Sequence, residues 1–147
     1  MSRPRARRSD YLHFSTLTTR WNDNDAYGHM NNVVYYEYVD TAVNNWLRHA
    51  AQMPVPHGDI VGLVVETACT YHASLSWPER IDAGLCVTKI GRSSITYGIG
   101  LFSEGSDDAA GEARFTHVYV DEKTRRPAEI PQTLRKAAEQ ILRPGNN

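Results

Sequence analysis

Cysteine and long apolar stretches are both scarce in this 147-residue chain. Its only two cysteines, Cys69 and Cys86, lie in apolar, strand-like segments, so we interpret them as reduced core residues rather than as a disulfide or a metal pair. The longest strongly apolar run covers residues 60–65 and contains Gly62, far short of the roughly 20 residues of a membrane-spanning helix. No signal peptide is visible. We therefore expect a cytoplasmic protein with no membrane association.

The chain also lacks an excess of charge of one sign. Its formal net charge is −1, so no global field favours binding to nucleic acid or to a membrane surface. The charge is uneven, however, because Arg3, Arg5, Arg7 and Arg8 form a basic N-terminal segment. We expect residues 1–10 to be a disordered, solvated tail that folding does not need. Residues 11–143 then form a single domain, as the chain length favours.

Three common catalytic signatures are missing as well. The sequence has no zinc-ligand spacing, no glycine-rich phosphate-binding loop and no Gly-x-Ser-x-Gly nucleophile turn. We therefore predict no metal site and no nucleotide cofactor.

One long helix is predicted in the first third of the chain. It begins near Asn31 or Asn32, since asparagine is a good N-cap, and ends before Met53, where two prolines and a glycine follow. Its apolar residues recur every three to four positions, at Val34/Tyr35, Tyr38/Val39, Ala42/Val43, Trp46/Leu47 and Ala50. This spacing is typical of a helix with one face in a hydrophobic core.

Strands are predicted on both sides of this helix. Residues 14–21 alternate and are rich in threonine, which favours a strand. Further strands are predicted over residues 60–75, 80–90, 94–103 and 112–121, with a hairpin turn at 91–94 and a flexible acidic loop at 104–111. A short helix follows, with Pro131 in its first turn and its end at Leu142. One helix and five strands in this order favour a single antiparallel sheet curled around the helix.

Polar side chains gather just before the long helix. Asp23, Asp25, His29 and two asparagines surround a glycine in this short segment. A helix N-terminus offers unpaired backbone N–H groups and a partial positive charge. A carboxylate and an imidazole beside such an end are suitable parts for acyl transfer, which needs a base or nucleophile and donors for an oxyanion.

The segment Asp-Asn-Asp-Ala-Tyr-Gly-His-Met-Asn-Asn-Val-Val-Tyr, residues 23–35, resembles a motif of the hot-dog fold thioesterases. The similarity is to the 4-hydroxybenzoyl-CoA thioesterase-like family, whose pattern reads roughly Asp-x-Asp-x-x-Gly-His-x-Asn-Asn-x-x-Tyr. Later landmarks are also similar, namely the valine-rich strand that ends at Glu66, the turn at residues 90–94 and the segment 125–131. The resemblance covers about residues 12–135.

This resemblance implies an α+β hot-dog fold in which a five-stranded antiparallel sheet wraps around one long central helix. It also implies an acyl-CoA thioesterase that releases a carboxylic acid and coenzyme A, the latter being part of the substrate rather than a cofactor. Asp25 would be the catalytic carboxylate, and the backbone N–H of Asn32 would polarise the thioester carbonyl. Family members are usually homodimers or dimers of dimers, with active sites shared across the subunit interface.

The resemblance also suggests residues that bind the substrate. Residues around Arg92, including Ser93 and Ser94, would help to hold the coenzyme A arm, and Gly28 and Asn31 belong to the substrate-binding loop. Gly28 also gives the loop backbone freedom. Arg92 can equally be a solvated turn residue. A second group of candidates for contacts with phosphate is formed by Lys123, Arg125 and Arg126.

Several roles stay open from the residues themselves. Asp25 can instead be a loop aspartate that caps a turn, whereas we interpret Asp23 as a structural hydrogen-bond acceptor. His29 either orients the substrate or Asp25, or holds the loop. The tyrosines Tyr35, Tyr36 and Tyr38 are interpreted as core or interface aromatics.

Two other functions remain as alternatives on the same fold. One is a hydratase or dehydratase acting on an enoyl or hydroxyacyl thioester, and the other is a binder of acyl thioesters without catalysis. The sequence leaves open the acyl group, the choice between coenzyme A and acyl carrier protein, and the choice between nucleophilic and general-base catalysis.

Overall fold

The computed structural model describes residues 4–143. Five strands form one antiparallel sheet in the order β1-β3-β4-β5-β2. The elements are β1 (His13–Thr18), α1 (Val34–His49), β2 (Ile60–Tyr71), β3 (Arg80–Ile90), β4 (Ser94–Ser103), β5 (Gly111–Asp121) and α2 (Gln132–Gln140). This confirms the predicted fold of five antiparallel strands with one long helix.

Helix α1 lies in the core against the sheet. Its buried residues follow the predicted spacing of three and four positions and are Tyr35, Tyr38, Val39, Ala42, Val43, Trp46 and Leu47. Trp46 packs edge to face on Tyr97 of β4, with ring centroids 5.7 Å apart. Because such aromatic burial stabilises a core strongly, replacing Trp46 with alanine is expected to cost about 3–5 kcal/mol.

The start of α1 differs from the prediction, because a turn precedes the helix. The Asn31 side-chain oxygen accepts the Val33 N–H at 3.0 Å, and the Asn31 carbonyl accepts the Val34 N–H at 2.9 Å. Asn31 therefore accepts N–H groups in the turn that precedes the helix, and the regular helix begins only at Val34. The first strand likewise ends earlier than predicted, since residues Trp21–Asp23 form a 3-10 turn.

The basic N-terminal segment is a correction to the sequence analysis. Residues 4–10 are not a free tail, because Arg8 pairs with Asp82 of β3 at 2.9 Å and lies over the Phe102 ring, 5.0 Å from its centroid. Arg5 donates to the carbonyl of Ala109 at 2.5 Å. The partners lie in or beside the acidic loop between β4 and β5, so two segments of opposite charge order each other. Arg3 lies outside the described residues.

The two outer strands of the sheet are β1 and β2. On β2, Leu63, Val64 and Val65 are exposed, Val65 to 59% of its surface. The pairing register of β2 with β5 shifts between Val64 and Glu66, so Val65 lies in a β-bulge. An exposed apolar edge of this kind favours pairing with another strand.

Among residues 4–143, no helix is long and apolar enough to cross a membrane. Cys69 and Cys86 are both free, and Cys86 is buried. Burial raises the pKa of both thiols, as expected for unreactive core cysteines.

Candidate active site

The polar segment before α1 forms a tight loop. The Asp25 N–H donates to the His29 carbonyl at 2.7 Å, and the Gly28 N–H donates to the Asp25 carbonyl at 3.1 Å. Gly28 has a φ of +81°, in the left-handed region that favours glycine, so this turn explains the glycine. Met30 then anchors the end of the loop by donating its N–H to the Leu75 carbonyl at 2.7 Å.

The Asp25 carboxylate lies on the exposed side of this loop. Its Oδ1 accepts the Tyr27 N–H at 2.8 Å and the His29 N–H at 3.3 Å. In the described part of the chain, its Oδ2 has no hydrogen-bond donor. One oxygen therefore caps the turn, as the structural interpretation predicted, while the other remains available to a water or a substrate.

The helix end beside this loop offers a backbone donor. The Asn32 N–H has no protein acceptor among residues 4–143, whereas the N–H groups of Val33 and Val34 are taken by Asn31. The Tyr71 hydroxyl of β2 donates to the Asn32 carbonyl at 3.0 Å, which belongs to the following peptide, between Asn32 and Val33. An unpaired N–H at a helix N-terminus is a suitable donor for a carbonyl oxygen that gains negative charge.

Asp23 has a structural role, as the sequence analysis predicted. Its side chain is 1% exposed and accepts hydrogen bonds from the Tyr38 hydroxyl, the Arg20 backbone N–H at 2.8 Å and the Arg20 Nε at 3.0 Å. Burial alone would raise the pKa of this carboxyl, but the hydrogen bonds from Tyr38 and Arg20 outweigh it and hold the pKa below its usual value. Asp23 is thus kept charged and fully bonded.

His29 contributes its backbone to the loop. Its carbonyl accepts from Asp25 and its N–H donates back to the Asp25 carboxylate, while the imidazole itself is exposed. Both contacts use only the backbone, so the two roles considered for the His29 side chain remain predictions.

The structure brings five of the predicted site residues into one loop: Asp25, Gly28, His29, Asn31 and Asn32. The other three, Arg92, Ser93 and Ser94, lie in and just after the turn between β3 and β4. Strand β3 begins at Arg80, which pairs with the end of β1 beside the loop, and it ends at Ile90, next to this turn. At about 3.3 Å per residue, the length of β3 separates the two groups by some 30 Å. A single chain does not bring them together.

The turn between β3 and β4, at the end of the sheet distal to Asp25, makes contacts of its own. Arg92 and Glu129 are both highly exposed, and their charged atoms lie 3.9 Å apart. The Ser93 carbonyl accepts the Tyr119 N–H at 2.7 Å. The Asp121 N–H donates to the Arg126 carbonyl at 2.9 Å, so the second basic group, Lys123 to Arg126, follows β5 at the same end of the sheet. The basic residues proposed for phosphate therefore cluster together, away from Asp25.

Two aromatic features of the site were missed in the sequence. Tyr71 donates to the Asn32 carbonyl from a strand 39 residues later, a separation that no local pattern reveals. Trp21 packs edge to face on Trp77 beside the loop, with centroids 5.1 Å apart, and Tyr27 is 87% exposed on the loop itself. Trp21 and Tyr27 are therefore exposed aromatic side chains beside the candidate loop.

Comparison with known proteins gives consistent matches. A family model described as the thioesterase-like superfamily matches residues 19–138. The PA5185 protein from Pseudomonas aeruginosa strain PAO1 is 45% identical with a TM-score of 0.92, covering 95% of this chain and 97% of that one. The PA2801 protein from Pseudomonas aeruginosa is 26% identical with a TM-score of 0.80, covering 86% of this chain and 98% of that one.

A more distant solved structure shares the fold. Slr0204, a 1,4-dihydroxy-2-naphthoyl-CoA thioesterase from Synechocystis, is 17% identical with a TM-score of 0.77, covering 85% of this chain and 93% of that one. No curated protein matches the chain.

Proposed function

The chain belongs to the thioesterase-like superfamily and is a thioester hydrolase, and from that membership we propose that it hydrolyses acyl-CoA esters with Asp25 as the catalytic carboxylate. The observation that carries this proposal is the unpaired Asn32 N–H at the start of α1, next to a carboxylate with one free oxygen. Together they supply the two groups that thioester hydrolysis needs, a base or nucleophile and an oxyanion donor.

In the proposed reaction, the thioester carbonyl oxygen accepts a hydrogen bond from the Asn32 N–H. The free Asp25 oxygen takes a proton from a water, whose oxygen adds to the carbonyl carbon. The tetrahedral intermediate then breaks its C–S bond, and the proton held by Asp25 passes to the thiolate. The products are a carboxylic acid and the free thiol, with no group consumed beyond water.

Direct attack by Asp25 is the alternative, giving a mixed anhydride that water then opens. We favour the general base, since the carboxylate is exposed and one of its oxygens already holds the loop together. A single turnover in oxygen-18 water separates the two routes. Label in the peptide that contains Asp25 would establish direct attack, whereas the general-base route leaves the protein unlabelled.

Coenzyme A is the proposed carrier because basic residues are available for its phosphates. Arg92, Lys123, Arg125 and Arg126 lie at the opposite end of the sheet from Asp25. The relative Slr0204, described as acting on an acyl-CoA, is consistent with this carrier. The proposed reaction needs no separate cofactor.

A homodimer would bring the two ends together. If β2 pairs with β2 of a second copy, the strands run antiparallel, and the distal end of one chain lies beside the loop end of the other. The exposed apolar edge at Leu63–Val65 and the exposed Val33 and Tyr36 of the α1 region support this pairing. We therefore propose a homodimer, able to form a dimer of dimers, with each active site shared by two chains.

A thiol-release screen across aromatic, short-chain and long-chain acyl-CoA esters tests the proposal. We expect turnover that the Asp25→Asn variant loses. Crotonyl-CoA serves as the control for a hydratase, because hydration removes its enoyl absorbance without releasing a thiol. Hydration without thiol release, or tight binding of every ester without turnover, would contradict the proposed activity.

A further inference from the structure

A cavity of about 200 Å³ lies at the distal end of the fold, away from Asp25. It is enclosed by the C-terminal half of α1, the start of β2, the end of β5 and the segment that follows α1. Its walls are mainly apolar and include Leu47, Met53, Val55 and Ile60, together with His117 and Tyr119. Sites for whole small molecules usually measure about 300–1,000 Å³, so this volume suits only one end of a ligand.

A buried histidine lines this cavity. His117 of β5 is 3% exposed, and its ring packs on Phe115 and Tyr119, with centroids 4.8 Å and 5.5 Å away. Burial lowers the pKa of His117 to about 4, so the imidazole is neutral at neutral pH. Gly62 of β2 leaves the necessary space, because a Cβ there would lie only 2.9 Å from the Nδ1 of His117.

A chain of hydrogen bonds fixes where the imidazole carries its proton. Among the described residues, the buried Tyr97 hydroxyl has one partner, the Tyr119 hydroxyl at 2.7 Å, and we assign Tyr97 as the donor because the reverse direction would leave its hydrogen without an acceptor. In this assignment the Tyr119 hydroxyl satisfies its own hydrogen by donating it to the Nδ1 of His117, 3.1 Å away. A neutral imidazole that accepts at Nδ1 carries its proton at Nε2.

The Nε2–H group of His117 is therefore a hydrogen-bond donor. It makes no hydrogen bond within the described chain. Among the described residues, every fully enclosed side-chain nitrogen or oxygen has a hydrogen-bond partner. Because Nε2 has none, it is not fully enclosed. The cavity that His117 lines is the space to which it is accessible. A ligand oxygen in this apolar cavity can accept the hydrogen bond from the neutral imidazole. A purely aliphatic ligand would leave this donor without a partner.

We propose that this cavity binds the distal end of the acyl group, and that His117 selects acyl groups that carry a keto or hydroxyl oxygen remote from the thioester. The inference rests on the proposed function. It also rests on the antiparallel pairing of two β2 strands, which places the distal cavity of one chain beside the α1 N-terminus of the other. The acyl group would thus pass from the partner subunit's oxyanion donor into this cavity.

A matched pair of substrates tests the selection. Hexanoyl-CoA and 5-oxohexanoyl-CoA differ only by a keto oxygen, which can accept but not donate. Wild-type enzyme should prefer the keto ester in kcat/KM by about three- to tenfold, the usual worth of one buried hydrogen bond. The His117→Phe variant should lower this ratio to about one, because phenylalanine offers no donor to the keto oxygen.

His57→Phe is the matched control, because His57 lines the same cavity but is exposed. It should leave the preference intact. A wild-type enzyme without the preference, or a His117→Phe variant that retains it, would overturn the inference.

A second measurement needs no variant and no turnover. Nitrogen-15 spectra of histidine-labelled wild-type protein should show His117 as the Nε2–H tautomer, and its Nε2 resonance should shift on addition of 5-oxohexanoate but not of hexanoate. If His117 is the Nδ1–H tautomer, or if its Nε2 resonance does not shift although the enzyme hydrolyses acyl-CoA, the role of His117 is contradicted and the proposed function is not. A complete lack of thiol release with every ester contradicts the proposed function alone.

Discussion

Asp23 and Asp25 are two positions apart in sequence, yet their carboxylates have opposite surroundings. Asp23 is buried and bonded by Tyr38 and Arg20, so it has no capacity left for a substrate. Asp25 is exposed and uses only one oxygen to cap its own turn. The difference arises because the 3-10 turn at Trp21–Asp23 directs the first side chain inward and ends before the second. The surroundings of Asp23 suit a structural role, whereas those of Asp25 leave an oxygen free for the proposed chemistry.

Asparagine at each position should separate these two roles. Asp25→Asn keeps an oxygen for the turn and should fold normally, but it should lower kcat by about a hundredfold or more, because the amide cannot take a proton. Asp23→Asn should retain most activity and lose about 1–3 kcal/mol of unfolding free energy, since Arg20 and Tyr38 lose a charged acceptor. Acyl-CoA turnover and urea unfolding of both variants check this. Wild-type turnover in a well-folded Asp25→Asn variant would refute the assignment.

The buried His117 should make the protein sensitive to acid. Its folded-state pKa is about 4, against 6.5 for the unfolded chain, so the unfolded chain binds more protons between these values. Stability should be unaffected above pH 6.5 and fall as the pH drops towards 4. The loss attributable to this residue is about 3 kcal/mol, at about 1.4 kcal/mol for each pKa unit.

Urea unfolding of wild type and His117→Phe at pH 7 and at pH 4.5 isolates this effect. The variant should lose less stability between the two pH values, because phenylalanine does not titrate. Equal losses in both proteins would show that His117 does not remain neutral in the folded state.

The N-terminal segment acts at the scale of an element. Residues 4–10 cross the outside of the sheet and join β3 to the loop between β4 and β5. The half-buried Arg8 makes most of these contacts, with Asp82, with the Phe102 ring and with the carbonyls of Ser103 and Ser106. The Arg7 pair with Asp107 is exposed on both sides and contributes little.

Deleting residues 2–8 should therefore lower Tm by about 5 °C or more, since about 3 °C is lost for each kcal/mol in a domain of this size. The change of Arg8 to alanine should account for much of this loss, and Arg7→Ala is the matched control that should change Tm little. Thermal unfolding followed by circular dichroism measures all three. If the deletion leaves Tm unchanged, the segment is the dispensable tail that the sequence suggested.

The local sequence pattern predicted which helices and strands form better than it predicted where they begin and end. The spacing of Tyr35, Val39 and Trp46 was enough to identify a buried helix, because the period of 3.6 residues is independent of its partners. The start of that helix was misplaced because Asn31 caps through a turn, which spacing alone does not distinguish from a direct cap. The order in residues 4–10 was missed because their partners lie about 75–105 residues away.

The same limit applies to the site. A short motif was sufficient to identify the loop around Asp25, since its residues are neighbours in sequence. Neither Tyr71 beneath Asn32 nor the His117–Tyr119–Tyr97 chain has a local signature, because each joins side chains from different strands or from alternate positions of one strand. Arg92, predicted to help hold the coenzyme A arm, lies at the opposite end of the sheet from Asp25 within one chain.

At the scale of the whole molecule, reactive and basic groups occupy opposite ends of one sheet. Asp25 and Asn32 lie where β1 ends and β3 begins, and Arg92 lies where β3 ends. In the proposed dimer, a second copy running in the opposite direction brings these parts together in one site. The proposed dimer is thus a requirement of the proposed chemistry as well as a cover for the β2 edge.

Subunit complementation tests this arrangement directly. Asp25→Asn lacks the carboxylate, and Arg92→Glu should raise KM for acyl-CoA through charge repulsion with phosphate. In a mixed dimer of these two variants, one site receives both defects, while the other combines the intact Asp25 of one chain with the intact Arg92 of its partner. Random exchange of subunits should therefore restore about a quarter of wild-type activity at low substrate concentration, since half the dimers are mixed and each has one intact site. Sedimentation of the mixture verifies that dimers persist. If each site were built from a single chain, every site would keep one defect, and activity would not rise above that of the separate variants.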